Sequence, residues 1–180
     1  VITAIIGVET RYGKIQGSYR VIDSLLTLGF DYPRRAKFFR SELVKFFLLT
    51  RENELNIEEV KGSYAGAMGF GQFISSSYRA YAIDYDGDGY ADLFNSVDDA
   101  IGSVANYLYI HGWKRDGEIV TVTYPNNVRK IFKPNSSVSK FIPLSFIEGD
   151  NELFFIGDDN FIAITKYNIS HFYAMAVYYL

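Results

Sequence analysis

Three aspartates, Asp84, Asp86 and Asp88, alternate through "DYDGDGYADLFN" (84–95), with Gly89 directly after them. Carboxylates this close repel one another unless a cation sits among them. Counted from Asp84, the aspartates fall at loop positions 1, 3 and 5, Gly89 at 6, the Tyr90 carbonyl at 7 and Asp92 at 9. This is the opening of an EF-hand calcium loop, in which hard oxygen ligands surround a hard cation. The pattern breaks at position 12, where Asn95 replaces the bidentate glutamate. Asp98 and Asp99, at the start of the following helix, are available to close the shell. A solvated Asp/Gly turn beside a helix N-terminus is the plainer alternative, and the spacing favours calcium. Such an ion staples a loop between helices without announcing a reaction.

Glu9 is the residue whose setting suits acid catalysis. It follows the apolar run "VITAIIGV" and precedes "TRYG". A carboxyl at the end of a buried helix is desolvated, which raises its pKa toward what a general acid needs. Read alone, however, an exposed glutamate, or one paired with Arg11 or another base, is the stronger reading. The glycine-rich "AGAMGFGQF" (65–73) is no dinucleotide fingerprint, since Gly66, Gly69 and Gly71 have the wrong spacing and no strand leads into them. It also lacks the phosphate-loop Lys-Ser/Thr. It offers close backbone approach to a ligand, with Ser63 and Gln72 as polar handles, or simply a structural turn. There is no G-x-S-x-G elbow, and His111 and His171 form no zinc-helix motif. His111 reads as part of a helix C-terminus.

The elements that must position these residues read as α+β. Ile2, Ile5, Ile6 and Val8 fit a buried helix, and Arg34–Glu54 an amphipathic one with Phe39, Leu43, Phe46 and Phe47 on one face. "SSSYRAYAI" is expected to be helical. Ser96 opens a further helix as N-cap, with Asp99 at the capping-box position and Ile101, Val104, Ala105 and Leu108 on one face, ending at Gly112. Beyond Trp113 the runs "EIVTVTY", "VRKIFK", "KFIPLSF", "NELFFIG" and "FIAITKY" read as short strands. The expected organisation is a helical core over 1–116, which includes the loop 84–99, a small β-rich lobe over 117–165 and a C-terminal helix over 166–180.

Composition narrows the function. Hydrophobic residues make up 48% of 180 residues, enough for a packed core, and the aromatics are almost all Tyr and Phe, 15 each. These fill cores and also line sugar-binding clefts. A net charge of −3 without a basic block argues against a nucleic-acid partner. The absence of cysteine excludes disulfides and thiolate catalysis. No apolar run approaches a membrane span. Because the chain opens on Val1 inside an apolar run, any targeting signal is expected to lie outside it.

"IIGVETRYGKIQG", "GSYAGAMGFGQF", "DYDGDGYADLFNSVDDAIGSVANYL", "HGW" and "TKYNISHFYAMAV" resemble, in this order, the membrane-bound lytic murein transglycosylase B family of bacterial murein-cleaving enzymes. The resemblance covers nearly the whole chain and is weakest from Val120 to Phe154. It implies a lysozyme-like core, a structural Ca2+ in an EF-hand-like site, and Glu9 as the single catalytic carboxyl. It implies substrate contacts from Ser63 and Gln72, from Tyr167 and Asn168 of "KYN", and from Tyr173. In the family the calcium loop is longer than the standard one, which implies Asp84, Asp86, Asp88 and Tyr90 as ligands with closure by Asp99, or by Asp98. Two departures stand out: Phe38 where the family usually has a cleft tyrosine, and Ser75 where "FISSS" replaces "FMPSS". The implied partner is the peptidoglycan glycan strand. The implied protein is a periplasmic monomer, attached to the outer membrane only through an N-terminal anchor outside this chain. Two rivals make different products: a lysozyme-type hydrolase using Glu9 with water, aided by Asp23 or Asp31, and a calcium-dependent glycan-binding module without turnover.

Overall fold

The computed structural model describes residues 1–123 and 142–180. The chain divides into two compact units, Val1–Tyr107 and Leu108–Leu180. The fold class is α+β, as expected.

The first unit opens with α1 (Ile2–Thr10), which buries Ala4, Ile5, Ile6 and Thr10. A two-residue strand β1 (Tyr19–Arg20) leads into α2 (Val21–Phe30). Pro33 starts a 3-10 turn (Pro33–Arg35) in front of the long α3 (Ala36–Glu52), where a fixed φ and a missing N–H cost nothing. β2 (Lys61–Gly62) pairs antiparallel with β1, Tyr19 opposite Gly62. α4 (Ser75–Tyr81) and α5 (Val97–Ile110) bracket the acidic loop. Ile5, Val21, Leu25, Phe46, Leu49, Met68, Leu93 and Val104 are all but inaccessible and form this unit's core.

Two helix faces differ from expectation by one position. On α3, Phe39, Leu43 and Phe46 are buried at i, i+4 and i+7, but Phe47 is 50% exposed, because it stands a further 100° round the helix. On α5, Val104 and Leu108 are buried while Ile101 is 41% exposed. The end of α5 matches expectation. Gly112 adopts φ 93°, with its N–H on the Tyr109 carbonyl and the Trp113 N–H on the Leu108 carbonyl, a Schellman cap.

In the second unit, β3 (Val120–Thr123), β4 (Ile142–Glu148) and β5 (Asn151–Gly157) form an antiparallel sheet of order β3-β5-β4. The expected strand "VRKIFK" lies outside the described residues. "FIAITKY" is a helix instead of a strand: α6 spans Asp159–Tyr167. Its Ile and Thr content suggests a strand, but Phe161 and Ile164 recur at helical spacing and both are buried. Asp158 and Asp159 add negative charge at the helix start. Asn160, fully buried, accepts from the Lys114 N–H (2.7 Å) and donates to the carbonyls of Lys114 (2.9 Å) and Gly117 (2.7 Å). α7 (His171–Tyr179) comes next, capped by Ser170. Among the described residues, no helix is long and apolar enough to cross a membrane.

Candidate functional site

Glu9 sits half-buried in the last turn of α1. The backbone just beyond it is unusual: Arg11 (φ 51°), Tyr12 (φ 60°) and Gly13 (φ 81°) are all left-handed in succession. Non-glycine residues adopt that conformation only when their surroundings over-determine it. The surroundings do so here. Thr10 Oγ1 lies 3.0 Å from the Ile6 carbonyl and 2.9 Å from the Phe70 carbonyl, and accepts from the Gly13 N–H at 2.9 Å. Gly13 must be glycine for a second reason, since a Cβ there would lie 2.0 Å from the Phe70 ring. The residue after Glu9 is thus fastened to the glycine-rich loop.

That loop is fastened back in turn. Gln72, itself at φ 52°, donates through Nε2 to the carbonyls of Gln16 and Gly69, each at 3.0 Å. Both Nε2 hydrogens are thereby engaged, and the acceptor Oε1 is the group left over for a ligand. Ser63 Oγ accepts from the N–H groups of Ala65 (3.3 Å) and Ala67 (3.1 Å), which fixes its position and leaves its own proton to donate. Gly17 (φ 105°) presses on this turn so closely that a Cβ would lie 2.1 Å from the backbone of Gly62. Glu9's segment, Ser63 and Gln72 are therefore one mechanically connected piece. Phe38 stands on α3, edge-on to Phe39 at 5.1 Å and beneath the Arg35 guanidinium at 4.4 Å.

The acidic loop is built differently. Asp84 Oδ1 accepts from the N–H groups of Gly87 (2.6 Å) and Asp88 (3.1 Å), and its Oδ2 from Gly89 (2.8 Å). Asp99 is fully buried; its Oδ1 accepts from the Tyr85 N–H (2.7 Å) and its Oδ2 from the Asp92 N–H (2.8 Å). Ser96 caps α5, accepting from the Asp99 N–H at 3.2 Å and donating to Asp86 Oδ2 at 2.9 Å. Carboxylate oxygens of Asp84, Asp86 and Asp99 all lie within 4.8 Å of one another. Ligands at roughly 2.3–2.6 Å from a common calcium ion are spaced by up to about 5 Å, so this set fits the ion. Asp88 and Asp98 are exposed and outside that group, and Tyr90, expected to offer its backbone carbonyl, carries an exposed ring. Tyr78 closes the loop from α4, donating to the Ala91 carbonyl (2.6 Å) and accepting from the Leu93 N–H (3.1 Å). Burial pushes its phenol well above the ordinary tyrosine range; the Leu93 N–H opposes this, and the charges of Asp92 and Asp99 add to it.

A family model described as the transglycosylase SLT domain matches residues 1–180. The chain belongs to that family. It is 41% identical to the membrane-bound lytic murein transglycosylase B of Escherichia coli (strain K12), across 100% of this chain and 55% of that protein. The chain thus spans little more than half the length of this relative. The crystal structure of soluble lytic transglycosylase SltB1 from Pseudomonas aeruginosa superposes with TM-score 0.90 at 42% identity, covering 99% of this chain and 67% of that one. The Escherichia coli lytic transglycosylase Slt35 in complex with calcium gives TM-score 0.88 at 39% identity, covering 99% and 63%.

In this SLT domain the other expected residues fall in two places. Tyr167 is the half-buried last residue of α6, Asn168 comes after it with Oδ1 accepting from the Ser170 N–H at 3.0 Å, and Tyr173 lies half-buried on α7. All three belong to the second unit. Asp23 and Asp31 belong to the first: Asp23 is engaged by Arg20 at 2.7 Å in an exposed ion pair, and Asp31 is exposed at the end of α2. Nothing in the sequence singles out Thr10 or Gln16, which tie the site together, or Glu42. Glu42 is a buried carboxylate on α3 that accepts from the Ser76 N–H at 2.8 Å and so caps α4 from another helix. Its only sequence signal is the weak N-terminus of α4, where Ile74 supplies no side-chain cap.

Proposed function

We propose that this chain carries the catalytic machinery of a lytic transglycosylase: it cleaves the β-1,4 bond between N-acetylmuramic acid and N-acetylglucosamine in peptidoglycan and leaves a 1,6-anhydromuramyl end. The observation that carries this reading is the placement of Glu9, in the family's "VETRYG" motif, on a helix end pinned through Thr10 to the loop that bears Ser63 and Gln72. Family membership and the name of the Escherichia coli relative support it.

Most glycoside hydrolases need two carboxylates. One suffices where the substrate supplies its own nucleophile. Protonated Glu9 donates to the glycosidic oxygen as that bond breaks, and the substrate's N-acetyl group steadies the oxocarbenium-like anomeric carbon. The Glu9 carboxylate then takes the proton from the muramyl C6 hydroxyl as its oxygen bonds to the anomeric carbon. Glu9 ends protonated and no water is consumed. Intramolecular attack gains from proximity, worth roughly 7–11 kcal/mol in favourable systems. Ser63 and Gln72 orient the glycan, and Tyr167 and Asn168, with Tyr173 and the Phe38 ring, supply further sugar contacts.

Asp84, Asp86 and Asp99 would hold a calcium ion, a reading that their spacing and the existence of a calcium complex of Slt35 support, and the family reading adds Asp88 and the Tyr90 carbonyl to the shell. When bound, the ion neutralises the loop's charge and takes no part in the chemistry. The glycan partner, a periplasmic location and outer-membrane attachment rest on the same family reading, as does the monomeric state.

The test is Glu9→Gln. Removing a general acid–base group is expected to lower turnover of purified peptidoglycan by about 10²–10⁴-fold, with the circular dichroism spectrum and melting temperature retained. Turnover at the wild-type rate would overturn the assignment.

A further inference from the structure

Inside the first unit, the acidic loop and the glycine-rich loop are joined through Asp92, Leu93 and Phe94. One end of this joint belongs to the acidic cluster. Asp99, whose carboxylate is one of the three gathered within 4.8 Å, also holds the Asp92 N–H at 2.8 Å. Asp92 in turn accepts from the N–H groups of Phe94 (2.8 Å) and Asn95 (3.0 Å), and buried Tyr78 accepts from that of Leu93 (3.1 Å). The carbonyls of the same segment serve the other loop. That of Leu93 accepts from the Phe70 N–H at 2.9 Å, and that of Phe94 from Gln16 Nε2 at 3.0 Å. The joint has no slack, since a Cβ on Gly69 would lie 2.3 Å from the Leu93 carbonyl oxygen.

Two routes lead on from this joint. The first runs from Leu93 to Phe70, whose carbonyl lies 2.9 Å from Thr10 Oγ1, next to Glu9. The second runs from Phe94 to Gln16, whose backbone carbonyl accepts from Gln72 Nε2 at 3.0 Å. Only the second passes through a side chain that can be replaced without touching backbone. It ends on Gln72, which orients the glycan, and not on the acid. Gln16 is half-buried and so is Gln72, which suits a bond that must persist beside solvent.

The acidic cluster gives this joint a reason to respond to a cation. Carboxylates held this close repel one another, and Asp99, fully buried, has no water to turn to. A ligand shifts an arrangement by its differential affinity for it. A cation favours the gathered carboxylates, and with them the bond from Asp99 to Asp92 on which Leu93 and Phe94 depend. Resting on the transglycosylase and calcium readings, we propose that Gln16 is a positioning residue through which calcium in the acidic loop strengthens glycan binding at Gln72. Such coupling is reciprocal, so a bound glycan strengthens calcium binding by the same factor.

The direct test is calorimetric titration of the β-1,4-linked tetramer of N-acetylglucosamine into the Glu9→Gln chain, so that turnover does not intervene. It is run with saturating calcium and with chelator, at a temperature where circular dichroism shows both states folded. Calcium is expected to tighten tetramer binding about fivefold or more, the lower end of usual couplings, and the tetramer to tighten calcium equally. Gln16→Met keeps the side chain's length and removes its donor. It forfeits one hydrogen bond, about a two- to tenfold effect, and should bring the coupling factor below about two. Tetramer affinity indifferent to calcium would overturn the proposal, as would undiminished coupling in Gln16→Met. A sugar-free measurement does not depend on that variant: the 15N NMR signal of the Gln72 side-chain amide should shift when calcium is added to the wild type. A signal that calcium leaves unmoved would equally contradict the proposal. In the active chain, Gln16→Met should raise KM for soluble glycan strands by a larger factor than it lowers kcat, because the route to Thr10 is intact. A fall confined to kcat would put Gln16 on the acid's route and overturn its assignment to Gln72. Reducing-end products with the coupling intact would overturn the transglycosylase reading alone. A chain that takes up no calcium would overturn the calcium reading, and this proposal with it.

Discussion

Two loops of the first unit solve the same problem of holding irregular backbone in place, and they do so by opposite means. The glycine-rich loop uses neutral bonds and close approach: Thr10 and Gln72 bond to backbone carbonyls, and Gly13 and Gly17 vanish as side chains so that Phe70 and the Gly62 backbone can move in. The acidic loop uses carboxylates as caps for its own N–H groups and gathers three of them within 4.8 Å. Gly87 and Gly89 there have left-handed φ but nothing within 4 Å of a hypothetical Cβ. The first loop is complete from the chain's own atoms. The second concentrates charge that a bound cation would relieve.

Glycine substitution should separate the two most strongly. Gly17→Ala drives a Cβ into backbone and is expected to cost about 3 kcal/mol or more in urea unfolding, with loss of turnover because Ser63 moves with Gly62. Gly87→Ala meets open space and should cost only the backbone penalty, about 1 kcal/mol. Equal costs would erase the contrast. Chelation should reverse the ranking. Saturating calcium at roughly 100 times its dissociation constant stabilises by about 2.7 kcal/mol, so a chelator should lower the melting temperature and calcium restore it, while Asp86→Asn blunts that response. A melting temperature indifferent to chelation would contradict the calcium reading of the acidic loop. The smallest effect is expected where the glycine-rich loop hands over to α4. Ser75 Oγ is buried without a partner among the described residues, and Ile74 has φ −72° and ψ 162°, which a following proline accepts. Ser75→Pro should therefore stabilise by about 0.5–1 kcal/mol, read from the same unfolding curves.

The sequence makes legible what is local. Asp84, Asp86 and Asp88 announce a cation loop because alternate residues can point inward together, and Ser63 and Gln72 stand near enough in the chain to share one loop. The fold class and most helices derive from apolar spacing. What the sequence does not carry is the long-range fastening: Thr10 reaches a carbonyl 60 residues away, and Gln72 one 56 residues away, with no local signal for either. The closing carboxylate needed geometry as well. Asp98 and Asp99 are adjacent in sequence, yet one is exposed and the other fully buried beside Asp84 and Asp86. Phe47 and Ile101 mark the resolution of periodicity, one position on a helix, and α6 shows burial at helical spacing prevailing over strand-like composition.

Under Glu9 it is the muramyl hydroxyl, and not water, that is proposed to attack the anomeric carbon. Digestion of peptidoglycan in 18O-enriched water, with mass spectrometry of the released muropeptides, tests this most directly. Intramolecular attack predicts anhydro ends one water lighter than hydrolysed products, with no 18O incorporated at the new end. Reducing ends carrying one 18O would contradict it and make the protein a hydrolase.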